Sequence, residues 1–276
     1  MTSTMNSPVR EHAIALHGVR VEFDTPQGDT NTIIEKLDLS VPRGQFVALI
    51  GRSGCGKTTL LNMVAGLVSP TSGEAQVLSG PPVKARKHIG FMMARDALLP
   101  WRSARKNVEY GLELRGVSRR QRREIATRWL DAVHMAHAER MWPWQLSQGM
   151  RQRVALARTW ALDPEIILMD EPFAALDAHT RVSVQLEFLN LWQEQASTVV
   201  FVTHDITEAI SLADRVVLLG DGRILDDVMV DIPRPRDLES LRVDHRFTEL
   251  YDRLQRRLNQ LPDTHDPAAP TREEEN

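Results

Sequence analysis

The chain has 276 residues, with 34 Lys plus Arg against 37 Asp plus Glu, and a formal net charge of −3. This near balance argues against binding through nucleic-acid phosphates, because that mode needs an excess of basic residues on one face. The length suits one or two domains, and 42% hydrophobic residues are enough for a sizeable core.

Cysteine content and apolar runs indicate the compartment. Cys55 is the single cysteine, which excludes an intrachain disulfide and a cysteine-based zinc site. No apolar run approaches the roughly 20 residues of a spanning helix, and the first ten residues lack the order of a secretory signal. We therefore expect a soluble, cytoplasmic chain that reaches a membrane only through a partner.

The first part of the chain has strand patterns. Apolar and polar residues alternate over 14–23 and 33–41, with the turn formers Pro26 and Gly28 between the two segments. Residues 46–50 form a continuous apolar run, which is typical of a strand buried on both faces of a mostly parallel sheet. A helix is predicted over 58–67.

The sequence pattern then changes to that of a long helical insert, which is followed by alternating strands and helices. An arginine run in the insert, at Arg119, Arg120, Arg122 and Arg123, is most often a solvated helix face. Predicted strands at 166–169, 198–202 and 215–219 alternate with predicted helices at 180–194 and 207–212, which indicates a parallel α/β sheet. A further helix is predicted over 246–259, and the acidic end of the chain is predicted to be disordered.

The strongest motif is a phosphate loop between a strand and a helix. The pattern G-x-x-x-x-G-K-[ST] is matched by Gly51, Arg52, Ser53, Gly54, Cys55, Gly56, Lys57 and Thr58, and Thr59 follows. Glycines let backbone N–H groups converge on phosphate at the positive end of the following helix. Lys57 would contact the β and γ phosphates and Thr58 would bind Mg²⁺, whereas Cys55 is more plausible as a small filler than as a nucleophile.

Two adjacent carboxylates end a later apolar strand. Asp170 and Glu171 follow residues 166–169, and a carboxylate at the end of a buried strand beside a phosphate loop can hold Mg²⁺. Glu171 would then act as a base or orient a water. A solvated strand end is the alternative, and the phosphate loop alone does not distinguish a kinase from a GTPase or a transport ATPase.

Further motifs in order resemble the ATP-binding cassette (ABC) ATPases. The segment Leu146-Ser147-Gln148-Gly149-Met150-Arg151-Gln152-Arg153 is similar to the family signature LSGGQ-x-QR. Ala175-Leu176-Asp177 resembles the D-loop, and Thr203-His204-Asp205 resembles the segment of the switch histidine. Phe23 matches the aromatic residue that stacks on adenine. The resemblance covers about residues 13–232.

The resemblance implies a P-loop NTPase of the α/β class, with a RecA-like parallel core sheet, N-terminal antiparallel strands and an inserted helical subdomain. It implies ATP and Mg²⁺ as cofactors and a head-to-tail homodimer with two sandwiched ATP molecules. Ser147 and Gly149 would bind the γ phosphate held by the second copy. His204 would contact the γ phosphate that is bound by its own chain. Asp177 would bridge the copies.

The implied domain boundaries can be stated for the whole chain. They are an N-terminal tail at 1–12, a nucleotide-binding core at 13–93 and 157–232, a helical signature subdomain at 94–156, a C-terminal helical extension at 233–261 and a tail at 262–276.

Within the family, three features resemble the importer ATPases for nitrate, aliphatic sulfonates and taurine. They are Leu98-Leu99-Pro100-Trp101, the Met form of the signature, and Ile232-Pro233-Arg234 followed by a short helical tail. Such subunits lie at the cytoplasmic face of the inner membrane and power a separate membrane permease, which a solute-binding protein supplies. A groove near residues 94–101 would receive a permease helix. Trp101 suits such a socket, although a core position is the alternative for it.

Two residues depart from the family pattern. Ala94 stands where the family has the Q-loop glutamine, so we expect slower or less tightly coupled hydrolysis. Gln148 replaces the first signature glycine and adds a side chain at the expected dimer interface.

Two other functions remain as alternatives. One is a soluble ABC ATPase of DNA repair or translation, although the long coiled coils or second cassette of such proteins are missing here. The other is a regulatory cassette that hydrolyses ATP weakly, for which only Ala94 argues.

Overall fold

The computed structural model describes residues 12–25, 28–93, 96–236 and 241–261. Two sheets organise this part of the chain. Its strands are β1 (His12–Asp24), β2 (Thr30–Pro42), β3 (Phe46–Gly51), β4 (Ser72–Val77), β5 (Ile89–Met92), β6 (Ile166–Asp170), β7 (Thr198–Val202), β8 (Arg215–Gly220) and β9 (Arg223–Met229).

The larger sheet carries the core, with strand order β5-β6-β7-β3-β8-β9. All neighbours in it are parallel except β9, which pairs antiparallel with β8 at one edge. The smaller sheet is antiparallel, with order β2-β1-β4. The predicted fold class, a parallel core sheet with N-terminal antiparallel strands and a helical insert, is confirmed.

Eight α-helices occur in the described part of the chain. They are α1 (Lys57–Val64), α2 (Pro82–Ala85), α3 (Ala104–Leu114), α4 (Arg119–Ala132), α5 (Gln148–Trp160), α6 (Ala178–Gln195), α7 (Ile206–Leu212) and α8 (His245–Asn259). Six begin after a residue whose side-chain oxygen accepts a backbone N–H of the first turn, as helix N-caps do. These caps are Ser103, Ser118, Ser147, Asp177, Asp205 and Asp244.

Strand β3 lies between two apolar layers. Phe46, Ala48 and Ile50 join the cluster formed with α3 to α8, while Val47 and Leu49 join the cluster under the antiparallel sheet and α1. The ring of Phe46 lies 5.7 Å from that of Phe188 and 5.3 Å from that of Trp192, both on α6. Burial on both faces explains the continuous apolar sequence of β3.

Three strands were not predicted from the sequence. β4 is mostly exposed and has no apolar alternation, so its pairing with β1 is what makes it a strand. β5 has only four residues, and β9 carries Asp226 and Asp227 in succession at the sheet edge. Tertiary pairing outweighs local preference in all three.

The boundaries differ in detail from those predicted. α1 ends at Val64 rather than at 67. β1 begins at His12, whereas the strand pattern was predicted from residue 14. The predicted limit between helical subdomain and core, at 156/157, falls inside α5. The predicted tail at 262–276 and the Q-loop position Ala94 lie outside the described residues. In the described part, no helix has the length and apolar character to span a membrane.

Candidate functional site

The phosphate loop joins β3 to α1 and ends in a left-handed glycine. Gly56, with φ of 99°, is the residue that caps α1. A Cβ atom at this position would lie 2.9 Å from the carbonyl oxygen of Ile33 in β2. Only glycine therefore fits without a shift of the backbone, and the loop is held against the antiparallel sheet.

Lys57 is folded into the loop that precedes it. Its Nζ donates to the carbonyl oxygens of Gly51 and Arg52, both at 2.8 Å, and lies 3.8 Å from the Sγ of Cys55. Burial raises the pKa of the Cys55 thiol, and the charge of Lys57 opposes that rise. A buried thiol with a raised pKa is a poor nucleophile, which agrees with a filler role for Cys55.

A hydroxyl and a carboxylate meet beside the start of α1. Thr58 Oγ1 donates to Asp170, at 3.0 Å from Oδ2 and 3.3 Å from Oδ1. Burial raises the pKa of Asp170, and the hydrogen bond from Thr58 opposes this rise. Oxygen donors of these two types are the ligands that Mg²⁺ prefers, so the residues fit that ion.

The strand order places two other predicted residues side by side. β7 lies between β3 and β6, so Glu171 after β6 and His204 after β7 leave neighbouring strand ends. His204 Nδ1 lies 3.6 Å from Glu171 Oε2. Asp170 still reaches Thr58 although its strand is not the immediate neighbour of β3.

Glu171 has an unusual backbone conformation. Its φ of 47° lies in the left-handed region, which disfavours residues with a Cβ atom. Its N–H donates to Val202 O at 3.0 Å, so the turn is held against the end of β7. Strained backbone of this kind is concentrated at functional sites.

Phe23 lies near the end of β1 in the antiparallel sheet. It pairs in register with Asn31 on β2, two residues before Ile33, whose carbonyl oxygen approaches Gly56. The Phe23 residue is 45% exposed, so part of its ring is available to a ligand.

The signature residues occupy the start of α5. Ser147 Oγ accepts the N–H of Met150 at 3.3 Å. A Cβ atom on Gly149 would lie 2.4 Å from Cγ2 of Thr180, so this glycine lets α5 and α6 pack closely. Gln148 accepts a hydrogen bond from the guanidinium of Arg151 through its side-chain oxygen.

Asp177 caps the adjacent helix α6. Its Oδ1 accepts the N–H of Thr180 at 3.0 Å, and this bond lowers the pKa of the Asp177 carboxyl. Ser147 and Asp177 are both exposed, at the starts of helices that touch through Gly149 and Thr180. They therefore belong to one exposed region of the chain.

Trp101 is exposed, so its alternative as a core residue is wrong. It is 68% exposed, whereas Leu98 is buried. Two other tryptophans lie near the signature, Trp142 and Trp144, with stacked rings whose centroids are 5.1 Å apart.

Contacts that sequence patterns did not reveal hold these motifs together. Arg151 Nε donates to Asp96 Oδ2 at 3.0 Å, which ties the segment before Trp101 to α5. Gln152, also on α5, donates to Pro172 O next to Glu171. A further buried carboxylate, Glu208, lies in α7, shortly after His204 in the chain. Its spacing from Asp205 is that of a helix capping box, which is the available sequence signal.

A comparison with protein families identifies the assembly of motifs. The model described as ABC transporter matches residues 34–174, which is just over half of the chain. The chain belongs to the ABC transporter family. It is an ATP-binding subunit of such a transporter, and this cassette is an ATPase.

Related proteins of known sequence extend this finding. The cassette is 45% identical over 227 residues to the aliphatic sulfonates import ATP-binding protein SsuB of Escherichia coli, covering 82% of this chain and 87% of that protein. It is 41% identical over 265 residues to SsuB 3 of Pseudomonas savastanoi pv. phaseolicola, covering 95% and 93%. An uncharacterized ABC transporter ATP-binding protein of Methanocaldococcus jannaschii is 48% identical over 217 residues, covering 78% and 81%.

A solved cassette has the same fold. The dimeric post-hydrolysis state of an ATP-binding cassette bound to ADP and Pi superposes with a TM-score of 0.72 and 31% sequence identity. The match covers 80% of this chain and 100% of that one.

Proposed function

We propose that this cassette is the ATP-hydrolysing subunit of an importer for a small anion such as an alkanesulfonate, taurine or nitrate. The observation that supports it most directly is the carboxyl end of the core sheet, where Thr58 meets Asp170 and His204 approaches Glu171. The names of the sulfonate import relatives support the solute class.

The proposal assigns a role to each residue of the site. Loop amides and Lys57 bind the β and γ phosphates, and Phe23 stacks on adenine. Thr58 and Asp170 hold Mg²⁺, which when bound neutralises phosphate charge. Glu171 orients the attacking water and accepts its proton, and His204 contacts the γ phosphate and holds Glu171 in place.

A second copy of the chain completes each site. Ser147 and the backbone of Gly149 lie at a helix N-terminus, and such a terminus favours the γ phosphate bound by the partner. Asp177 bridges the copies beside the sites. The dimer attaches to a membrane permease at the cytoplasmic face of the inner membrane, with the exposed Trp101 contacting the permease, and a solute-binding protein delivers the solute.

The test combines hydrolysis with transport. We expect the purified chain with its permease to hydrolyse ATP, and Lys57→Ala and Glu171→Gln each to lower kcat by about 100-fold or more. Arg257→Met, on the exposed face of α8, is the matched control and should keep the wild-type rate.

The solute is identified in cells. A deletion strain should lose uptake of one of the three anions, and the wild-type gene but not Glu171→Gln should restore it. Hydrolysis with no loss of anion uptake would favour a soluble ABC ATPase, and ATP binding with negligible hydrolysis would favour a regulatory cassette.

A further inference from the structure

A buried carboxylate outside the roles given above lies next to the switch histidine. Glu208 is on α7 and is 8% exposed. Its Oε2 accepts the hydroxyl of Thr203 at 2.7 Å, and its Oε1 accepts Nε2 of Gln185 at 3.0 Å. A buried carboxylate is costly unless it is hydrogen-bonded, and here both oxygens have partners.

The Thr203 hydroxyl links the two residues that flank His204. It donates to Glu208 and accepts the N–H of Asp205 at 3.1 Å. The Thr203 N–H in turn donates to Leu49 O in the phosphate-loop strand β3, at 3.2 Å. The backbone on both sides of His204 is therefore fixed, while the His204 side chain itself is exposed.

The other oxygen of Glu208 faces α6. Gln185 and Arg181, whose Nε lies 3.8 Å from Glu208 Oε1, are both on this helix. The N–H of Arg181 donates to the carbonyl oxygen of Asp177 at 2.9 Å, within the first turn of α6. The carboxylate of Glu208 thus connects α6, which begins after Asp177, to the loop that carries His204.

We propose that Glu208 is a positioning residue for hydrolysis, acting through the Thr203 hydroxyl to set the position of His204 relative to Glu171. It does not touch ATP. The proposal rests on the function assigned above to His204. The alternative is that Glu208 only anchors α7 to α6.

Variants at Thr203 separate these two roles with little change in packing. Thr203→Val keeps the shape but removes the hydroxyl, whereas Thr203→Ser keeps the hydroxyl. We expect Thr203→Val to lower kcat by about 10- to 100-fold, because a displacement of about 1 Å can cost about 100-fold. KM for ATP should stay within about twofold, and Thr203→Ser should retain most of kcat.

Glu208 is tested in the same assay. Glu208→Ala should lower kcat as Thr203→Val does, Glu208→Gln should restore most of it, and the double variant Thr203→Val/Glu208→Ala should lose no more than either single one. Glu109→Gln, which alters a fully buried glutamate on α3, is the control. It should lower Tm and leave kcat below Tm unchanged.

Different results would contradict the role of Glu208 and the role of His204. If His204→Ala is slow but Thr203→Val has the wild-type kcat, the positioning role of Glu208 is wrong. The same conclusion follows if Thr203→Val and Thr203→Ser lower kcat equally. If His204→Ala itself keeps full activity, the role assigned to His204 fails instead.

Discussion

At the scale of single residues, the resemblance places Ala94 where the family has the Q-loop glutamine. A methyl group offers no ligand to a metal and no hydrogen bond to a water. We expect Ala94→Gln to raise the ATPase rate of the complex with its permease by about 10-fold and to tighten its coupling to transport. Equal rates and equal coupling of the two proteins would contradict this expectation.

Gly149 makes a second prediction at this scale. The Cβ atom of Gly149→Ala would lie 2.4 Å from Cγ2 of Thr180, so the Thr180 side chain would have to rotate or α5 and α6 would have to separate. We expect a loss of about 1–3 kcal/mol in the free energy of unfolding, measured by denaturant titration.

A compensating change tests the cause of that loss. Thr180→Ser removes Cγ2 but keeps the backbone N–H that Asp177 accepts. The double variant Gly149→Ala/Thr180→Ser should therefore recover most of the lost stability. Equal stabilities of the single and double variants would mean that the contact is not responsible.

At the scale of elements, the C-terminal extension is fastened to α7 by a buried arginine. Arg236 Nη1 donates to Ile210 O at 2.8 Å and Ala213 O at 2.6 Å, and Nε donates to Ile232 O at 3.0 Å. Burial lowers the pKa of Arg236 to about 10, and the neighbouring Arg234 contributes to this shift. The end of α7 thus depends on a residue from the C-terminal extension.

Removing this guanidinium should loosen the end of α7. We expect Arg236→Met to lower the free energy of unfolding by about 1–3 kcal/mol, because carbonyl oxygens buried with it lose their donors. Arg257→Met is the control and should change stability by less than about 0.5 kcal/mol. Similar losses in the two variants would argue against this role of Arg236.

The elements also show what the sequence can predict. β3 and β6 were readable because strands buried on both faces are apolar throughout. β4 and β9 were not, because partner strands rather than their own residues stabilise them. At the site, the motifs indicated Lys57, Asp170 and Glu171. The contacts of Glu208 arise only when α6 and α7 pack together.

At the scale of the whole molecule, each chain carries one phosphate loop and one signature. If the sites are shared between copies, two inactive chains can complement each other. We expect Lys57→Ala and Ser147→Arg to be inactive alone, and their equimolar mixture with permease to recover about one quarter of the wild-type ATPase rate. Half of the dimers would be mixed, with one intact site in each.

The double variant provides the control for this mixture. A chain with both changes, mixed with wild type, forms heterodimers in which each site carries one lesion. Such a mixture should fall to about one quarter of the rate of the undiluted wild type, from wild-type homodimers alone. A mixture of the two single variants that stays inactive would argue against shared sites.

The left-handed backbone of Glu171 has a consequence for how this sequence changes over generations. A residue with a Cβ atom is disfavoured there by about 1–2 kcal/mol, whereas glycine is not. Selection for stability alone would therefore favour replacement of the glutamate, and only selection for ATP turnover opposes it. In a descendant copy that has lost the need to hydrolyse ATP, position 171 is where we expect the change to be fixed early.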